Sequence, residues 1–475
     1  MLSSNESDPG IAERAVGTLL LPAIVGGALF MQTLDATIIT TALPSMAHSL
    51  RESPVHLNLA ISAYLLSAAM FIPISGWMAD RFGARQVFRV AVALFVISSI
   101  LCGLSQSLLQ LIAARACQGI AGAMMVPVGR VLVLASVPKD VMVQAMSTMT
   151  TPAILGPLLG PPLGGLIVTY FPWNMIFFLN IPVGIIGFIL ITIYVKEIPK
   201  NSSLPLDLSG FCLSGLSMAG LVLGLELLGR GIVGFPIVCC LILFGILFGG
   251  LYVRNAQRTD HPILDLSLLR ISTFFTATFG GGLCRISLGA MPFLLAILLQ
   301  IGFGLTPLTA GLITLASVVG ALANKAIIRP ATRLFGFRSL LIYTCLLHSM
   351  LLLAFGLFQK STAHALIIAA LLVGGFIRSL LFTSLNTFTY ADVAQDRISN
   401  SSALTSVATQ LSMSIGVSIA ALVLGLSVTL RGGDMLVAND VSVAFFAIGL
   451  ISLLALPLFL RLPPSAGTEM SGHRA

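Results

Sequence analysis

The sequence predicts an all-α membrane protein of fourteen transmembrane helices: two six-helix blocks with two extra helices between them. Three observations carry that prediction. Of 475 residues, 57% are hydrophobic and 9% charged, with a mean hydropathy of +1.03. Soluble domains carry about 25% charged residues, so this chain has too few charges to solvate a surface of its size. Apolar runs of about 20 residues, the length that crosses a bilayer, recur from end to end. The basic residues are also distributed unevenly: fourteen spans put both termini on one side, and the loops of that side hold 17 of the 25 Lys and Arg, against four on the other side. The positive-inside rule makes the rich side, with both termini, cytoplasmic.

The spans fall near residues 16–43, 57–79, 86–104, 108–135, 143–168, 174–195, 208–228, 232–253, 272–300, 307–328, 339–358, 363–391, 400–429 and 441–461. The stretch before the first is polar. The apolar run that follows is much longer than a signal-peptide core and lacks a small-x-small cleavage site, so the first span is expected to be retained. Within it, Leu34–Pro44 (LDATIITTALP) sets Asp35 in an apolar helix. An ionised acid there costs about 2.5–3.5 kcal/mol on insertion scales. Because burial disfavours a bare charge, Asp35 is a candidate proton carrier, with Gln32 one turn away to hydrogen-bond it. A purely structural acid, paired permanently with an arginine, is the alternative.

Between spans 2 and 3, Gly76–Arg85 (GWMADRFGAR) carries Asp80, Arg81 and Arg85 around a turn that Gly83 permits. An acid at a helix C-terminus opposes the dipole unless it caps the next helix or pairs with a cation, which predicts a partner for Asp80. A charge cluster that only sets topology is the alternative. Span 4 buries Arg115, Gln118, Gly119 and Gly122 at i, i+3, i+4, i+7 spacing, so they share one face and the glycines make room for a neighbouring helix. Arginine keeps its proton in a protein, so Arg115 can bias a nearby acid without titrating, or serve only as a structural partner. Arg130, nearer the cytoplasmic end, is read as snorkelling and receives no role.

Span 5 contains LGPLLGPPLGGL, residues 155–166. Gly156, Gly160 and Gly164 recur every four residues and stack into one bare groove. Pro157, Pro161 and Pro162 remove backbone donors, which a membrane helix tolerates only where neighbours or a cavity repair the loss. Spans 7 and 8 follow the polar break Lys196–Asp207 and precede a second break, Arg254–Arg270. The second break alternates apolar and polar residues, as a membrane-interface segment would; a solvated loop is the other reading. Glu226 lies in this extra pair, outside the blocks, and is expected to matter less for coupling. Spans 9–14 hold Arg285 and Arg378 but no acid, with Asn386 two turns after Arg378 on nearly the same face. These residues, with Gln32 and Gln118, are candidates for a cargo cavity.

The two blocks look like copies. Arg81-Phe82-Gly83-Ala84-Arg85 after span 2 is echoed by Leu334-Phe335-Gly336-Phe337-Arg338 after span 10. Parallel six-helix repeats that place the substrate between halves are a transporter architecture. Residues 1–196, 197–270 and 271–475 are therefore expected as first bundle, linker with two helices, and second bundle. The six histidines show no metal or nucleophile spacing, no Walker A loop is present, and no basic patch is interleaved with aromatics. The seven cysteines all fall in spans and read as small apolar fillers.

Several of these strings resemble one family. Gly156-x-x-x-Gly160-Pro161-x-x-Gly164-Gly165 is similar to the antiporter signature of drug:proton exporters of the major facilitator superfamily. Leu34–Pro44 resembles the first-span motif of its fourteen-span EmrB/QacA-like branch, with Thr40 where that motif usually has Asn. Arg115-x-x-Gln118-Gly119 resembles the branch's proton-coupling motif. Gly76–Arg85 is similar to the superfamily's latch of the inward face, with Ala84 and Gln86 thinning its basic cluster. The resemblance implies a secondary transporter, not an enzyme. It would work as a monomer in the bacterial inner membrane, exporting small lipophilic molecules or drugs against proton entry, with the proton motive force in place of a cofactor. It also implies proton coupling at Asp35 and Arg115, and a cytoplasmic gate at Gly76, Asp80, Arg81, Gly83 and Arg85. An exporter or symporter of anionic metabolites on the same fold remains open, favoured by the buried arginines. A membrane-embedded enzyme or channel is a remoter alternative.

Overall fold

In hydrocarbon a chain must satisfy its backbone N–H and C=O groups internally, so a span becomes a helix or part of a closed barrel. The computed structural model describes the backbone of residues 9–52, 54–198, 204–230, 233–433 and 436–473. Side chains at 9–18, 54–55, 158, 161, 229–230 and 307–308 lie outside that description. The helices, in order, are α1 (Pro9–Leu50), α2 (Pro54–Phe71, continuing as Ser75–Phe82), α3 (Ala84–Leu104), α4 (Leu108–Ser136) and α5 (Met142–Tyr170). Then follow α6 (Met175–Phe178, continuing as Asn180–Tyr194), α7 (Leu208–Arg230) and α8 (Phe235–Ala256). The last block comprises α9 (Ser272–Ile297), α10 and α11 (together Pro307–Gly356), α12 (His364–Phe388), α13 (Ile398–Leu430) and α14 (Ala438–Leu453).

Eleven described helices are long and apolar enough to cross a membrane as they stand, and two bent pairs bring the number to 13. The α10–α11 run supplies the fourteenth. Its 50 residues would reach about 75 Å at 1.5 Å per residue, more than twice a hydrocarbon core. Gly336, at φ 67° and ψ 168°, breaks it in two. The bends have local causes as well. The two parts of α2 meet at 59°, with Pro73 between them. In α5 the parts before and after the Pro157–Pro162 stretch meet at 47°. Proline lacks the N–H and clashes with the preceding turn, so helices kink there.

In the first block α1 lies along α5, while α2 and α3 both pack on α4. In the last, α9 lies along α13, α12 along α10 and α11, and α14 closes against α9, α13 and the α10–α11 run. Helix α7 touches α2 on one side and α13 on the other, so it bridges the blocks; α8 packs on α7. Small residues allow that pairing: a Cβ on Gly220 would lie 2.9 Å from Gly245 Cα, and Ser217 Oγ donates to Gly245 O at 2.8 Å. Ser418 Oγ of α13 donates to Leu225 O of α7 at 2.6 Å.

For 254–270 the sequence leaves two readings, interfacial segment or solvated loop. The structure takes a third. Ile263, Leu264 and Leu268 are buried in the protein core. Tyr252 Oη donates to Leu264 O at 2.7 Å, and Ile263 N donates to Asp207 Oδ2 at 3.4 Å. Asp265 pairs with Arg397 at 2.5 Å. The segment is a strap tying α7 and α8 to the α12–α13 turn. Burial pushes the Asp265 carboxyl up, but hydrogen bonds from Ser267 and Arg397 outweigh that and hold it below the usual carboxylate range.

The repeated turns agree in detail. Gly83 (φ 91°) and Gly336 (φ 67°) both take backbone angles that side chains oppose. Arg85 donates to Thr192 O at 2.6 Å near the end of α6, and Arg338 to Leu460 O at 3.1 Å just beyond α14. At this arginine-rich end the blocks meet. Ser402 Oγ donates to Pro127 O at 2.8 Å, and a Cβ on Gly76 would sit 2.8 Å from Ser399 O. Lys139 pairs with Glu469 at 2.6 Å.

Candidate functional site

In the first block, four helices converge on one carboxylate. Asp35 is 1% exposed and Arg115 0%. Arg115 Nη1 donates to Asp35 Oδ2 at 2.5 Å and to Gln118 Oε1 at 2.6 Å. Gln118 Nε2 donates to Asp35 Oδ1 at 3.0 Å and to Ser99 Oγ at 2.8 Å. Asn180 Nδ2 donates to Asp35 Oδ1 at 2.8 Å and to Ser99 Oγ at 3.1 Å. The i, i+3 step from Arg115 to Gln118 lets one face of α4 offer both a cation and an amide to the acid on α1. The guanidinium also lies over aromatic faces, 4.4 Å from the Tyr64 ring centroid and 6.0 Å from that of Phe177. Gly119 and Gly122 admit α2 and α1 to this face: a Cβ on Gly119 would overlap Ser67 and Tyr64, and one on Gly122 would come 3.0 Å from Tyr64 Oη. Gln32, expected to bond Asp35, instead donates to Gly122 O at 3.2 Å.

The opposite face of α1 carries a ridge that fills the glycine groove. Cβ atoms on Gly156, Gly160 and Gly164 would each overlap the hydroxyl of Thr33, Thr37 and Thr41 in turn. The three threonine hydroxyls donate back to their own helix, to Leu29 O, Thr33 O and Ile38 O at 2.9, 3.0 and 2.8 Å. A polar ridge is thus satisfied before it meets α5, and Thr37 Oγ1 adds a contact to Gly156 O at 3.5 Å. Gly165 stands outside this seam, with nothing within 4 Å of its Cβ position. Pro161 continues the helix, and its side chain lies outside the described residues.

At the arginine-rich turn, Gly76 packs on α13 as described above. Asp80 borders a broad polar groove shared with Trp77, Asp265 and Ser399. Arg81 is half-buried, and Arg85 spans to Thr192 O and, at 3.7 Å, to Glu197. Gly83 makes the reversal.

The second block has buried arginines without that kind of acid. Arg285 is 0% exposed; Nη1 donates to Ala277 O at 3.2 Å and Nη2 to Asn386 Oδ1 at 3.3 Å. The residue read as snorkelling is corrected: Arg130 is 5% exposed and reaches across to the second block. Its Nη1 donates to Tyr390 Oη at 3.0 Å and Ser406 Oγ at 3.4 Å. It turns inward because the second block offers it hydroxyl acceptors where α13 packs on α4. Arg378 departs from its expected neighbour Arg285. It lines a small cavity inside the second block with Ser317, His348 and Gly374, where Ser287 Oγ and His348 Nε2 also lie 2.8 Å apart. The first turn of α14 contains one buried acid, Asp440, engaged by Arg431 at 3.0 Å and Ser427 at 2.7 Å.

Sequence reasoning passed over Asn180, Ser99 and Tyr64, and gave Arg130 no role. Asn180 left a usable signal, as an amide set in the apolar string NIPVGIIG. Ser99 and Tyr64 left none, because a serine or tyrosine is common in membrane helices for reasons of packing alone.

Comparison with known proteins agrees with this architecture. The family model of the Major Facilitator Superfamily matches residues 25–417. The "Putative multidrug resistance protein MdtD" of Escherichia coli O6:H1 (strain CFT073) is 40% identical over 444 residues, covering 92% of this chain and 93% of the relative. The protein of the same name from Escherichia coli O45:K1 (strain S88) is 42% identical over 405 residues, 85% of each chain. Among solved structures, the human organic anion transporter MFSD10 is similar with a TM-score of 0.66 at 17% identity, covering 93% of this chain and 99% of that one. The proton:xylose symporter XylE gives 0.63 at 14% identity, covering 96% and 98%; at such identities both likenesses concern the fold alone. With fourteen spans, a repeated six-helix plan and a family match over most of its length, this chain belongs to the major facilitator superfamily of membrane transporters.

Proposed function

We propose that this protein is a proton-coupled antiporter that exports small lipophilic molecules, drugs among them, across a bacterial inner membrane. The arginine-rich end and both termini face the cytoplasm, as the positive-inside rule directs. Residues 1–196 and 271–475 act as the rocking units, joined by 197–270, and a single chain suffices. The observation that carries the reading is the enclosed Asp35–Arg115–Gln118–Asn180 network. The multidrug designation of the relatives at 40–42% identity supports the cargo class.

The chemistry follows from the network. With Asp35 ionised, Arg115 neutralises it and the amides of Gln118 and Asn180 saturate Oδ1. A proton arriving at Asp35 cancels its charge and leaves Arg115 as a buried cation, a state that is expensive without compensation. The Gln118 carbonyl and the Tyr64 and Phe177 ring faces supply part of it, cation–π contacts contributing about 0.5–2 kcal/mol. Both protonation states are thereby accessible. Asp35 and Thr33 or Thr37 are two residues apart, on opposite faces of α1. A shift of α1 at the acid therefore displaces the threonine ridge from the Gly156–Gly160–Gly164 groove, coupling the proton to the α1–α5 seam. Gly76, Asp80, Arg81, Gly83 and Arg85 serve as the cytoplasmic gate, a role supported by the packing of Gly76 on Ser399 of α13.

The test is uphill export by purified protein in proteoliposomes under an imposed pH gradient. Asp35→Asn is expected to abolish gradient-driven export while retaining cargo binding and exchange. Uphill export at the wild-type rate in that variant overturns the assignment.

A further inference from the structure

Arg130 and Arg285 come from opposite halves and bind side chains four residues apart in sequence, Tyr390 and Asn386. Tyr390 accepts from Arg130, and its ring centroid lies 5.9 Å from the Arg130 guanidinium carbon. Every acceptor given to the pair is neutral: Tyr390 Oη, Ser406 Oγ, Ala277 O and Asn386 Oδ1. Three buried donors at this place, Arg130 Nε, Arg285 Nε and Asn386 Nδ2, have no acceptor among the described residues. The block's buried acid, Asp440, is held by Arg431 and Ser427, and Asp392 accepts from Thr273 at 2.8 Å. Buried cations with neutral acceptors and idle donors are costly, and an anion that neutralises them recovers much of that cost.

We infer that Arg130, Arg285 and Asn386 form the binding face for an anionic group on the cargo, so that the exporter selects organic carboxylates or sulfonates over lipophilic cations. This rests on the export reading above and adds the cargo's charge to it. Arg130 sits beside the α4–α13 contact at the arginine-rich end, where Ser402 meets Pro127 O. Parting that contact separates Arg130 from Tyr390 and Ser406 and frees further N–H groups toward an entering ligand. Guanidinium forks match carboxylate and sulfonate oxygens in pairs. Asp35 does not compete with the anion for these arginines, because its charge is already matched by Arg115 within the first block.

The experiment measures binding separately from transport, on the full chain in nanodiscs, with 5-carboxyfluorescein as the anion and ethidium as the cation. Wild type is expected to bind carboxyfluorescein at least tenfold more tightly than ethidium. Arg285→Gln and Arg130→Gln should each lose tenfold or more of that affinity, while Arg285→Lys keeps most of it. Asn386→Asp offers a check that leaves both arginines in place. It supplies a carboxylate beside Arg285 and should weaken carboxyfluorescein and strengthen ethidium. Equal carboxyfluorescein affinity in wild type and Arg285→Gln, or a preference for ethidium in wild type, overturns the inference. Arginine-dependent anion binding without proton-driven export of either dye upholds the anion face and sinks the antiport reading instead.

Discussion

Arg115 and Arg285 are both fully buried in the middle of a helix, one in each block, yet their surroundings differ in kind. Arg115 meets a carboxylate, an amide and two aromatic faces, so the first block holds a matched charge pair. Arg285 meets neutral oxygens, one of them on Asn386, four residues before the Tyr390 that accepts from Arg130. A matched pair can be unmatched by a proton, whereas a cation among neutral acceptors can be matched only by something that arrives. On the proposed function, that division would place coupling chemistry in one block and charge selection at the face it shares with the other.

The largest effect expected from this contrast is on stability. Arg115→Gln leaves Asp35 as a buried, unpaired acid and should cost about 3–5 kcal/mol. Adding Asp35→Asn to it should return most of that loss, since both charges are then gone. Arg285→Gln removes a charge with no carboxylate partner and should leave the unfolding midpoint unchanged or raise it. Thermal unfolding of the wild type and the three variants in one detergent reads all of this, and equal losses for Arg115→Gln and Arg285→Gln would dissolve the contrast.

Within the first block, Asn180→Ala removes a donor to the charged acid. Hydrogen bonds to charged groups contribute about 1.5–3 kcal/mol. Asn180→Ala should therefore lower the thermal unfolding midpoint and slow gradient-driven export. An unchanged midpoint would mean that Gln118 and Arg115 alone hold the acid. Gly160→Leu tests the far side of α1. Overpacking costs about 1–3 kcal/mol, and the forced separation of α1 from α5 should abolish export with or without a proton leak; normal transport by a folded Gly160→Leu protein would remove the seam from the mechanism. The smallest effect belongs to the strap. Asp265 is held below the usual carboxylate range, so its pairing with Arg397 contributes above that range and is lost as pH falls through the depressed value. Asp265→Asn should cost about 0.2–1 kcal/mol at neutral pH, as partly exposed pairs do, and nothing in strong acid. A pH-independent difference between the two proteins would assign the strap's hold to its buried leucines.

Spans, their number and the repeated turn were legible because they depend on local quantities: hydropathy over about 20 residues and a glycine where the chain reverses. Asp35, Arg115 and Gln118 were legible for the same reason, as charges and amides inside apolar runs are conspicuous. The glycine groove could be seen in LGPLLGPPLGGL, but its filling could not, since Thr33, Thr37 and Thr41 lie more than 100 residues away. Arg130 was misjudged for a related reason. Proximity to a helix end predicts snorkelling only where no neighbour offers a partner, and here Tyr390 and Ser406 do.

By itself the sequence determined an apolar, fourteen-helix chain with one acid buried in its first span and cations left over in its last six. Periodicity and hydropathy act on each helix alone, and they suffice for that. Which cation meets which acceptor was decided only by the tertiary structure. Pairing within a membrane depends on close helix packing and on the cost of leaving a charge unmatched, and both are properties of neighbours that sequence distance does not reveal. That is why Asp35 found Arg115 and Asn180, 80 and 145 residues away, while Arg130 and Arg285, from opposite halves, met Tyr390 and Asn386, four residues apart in sequence.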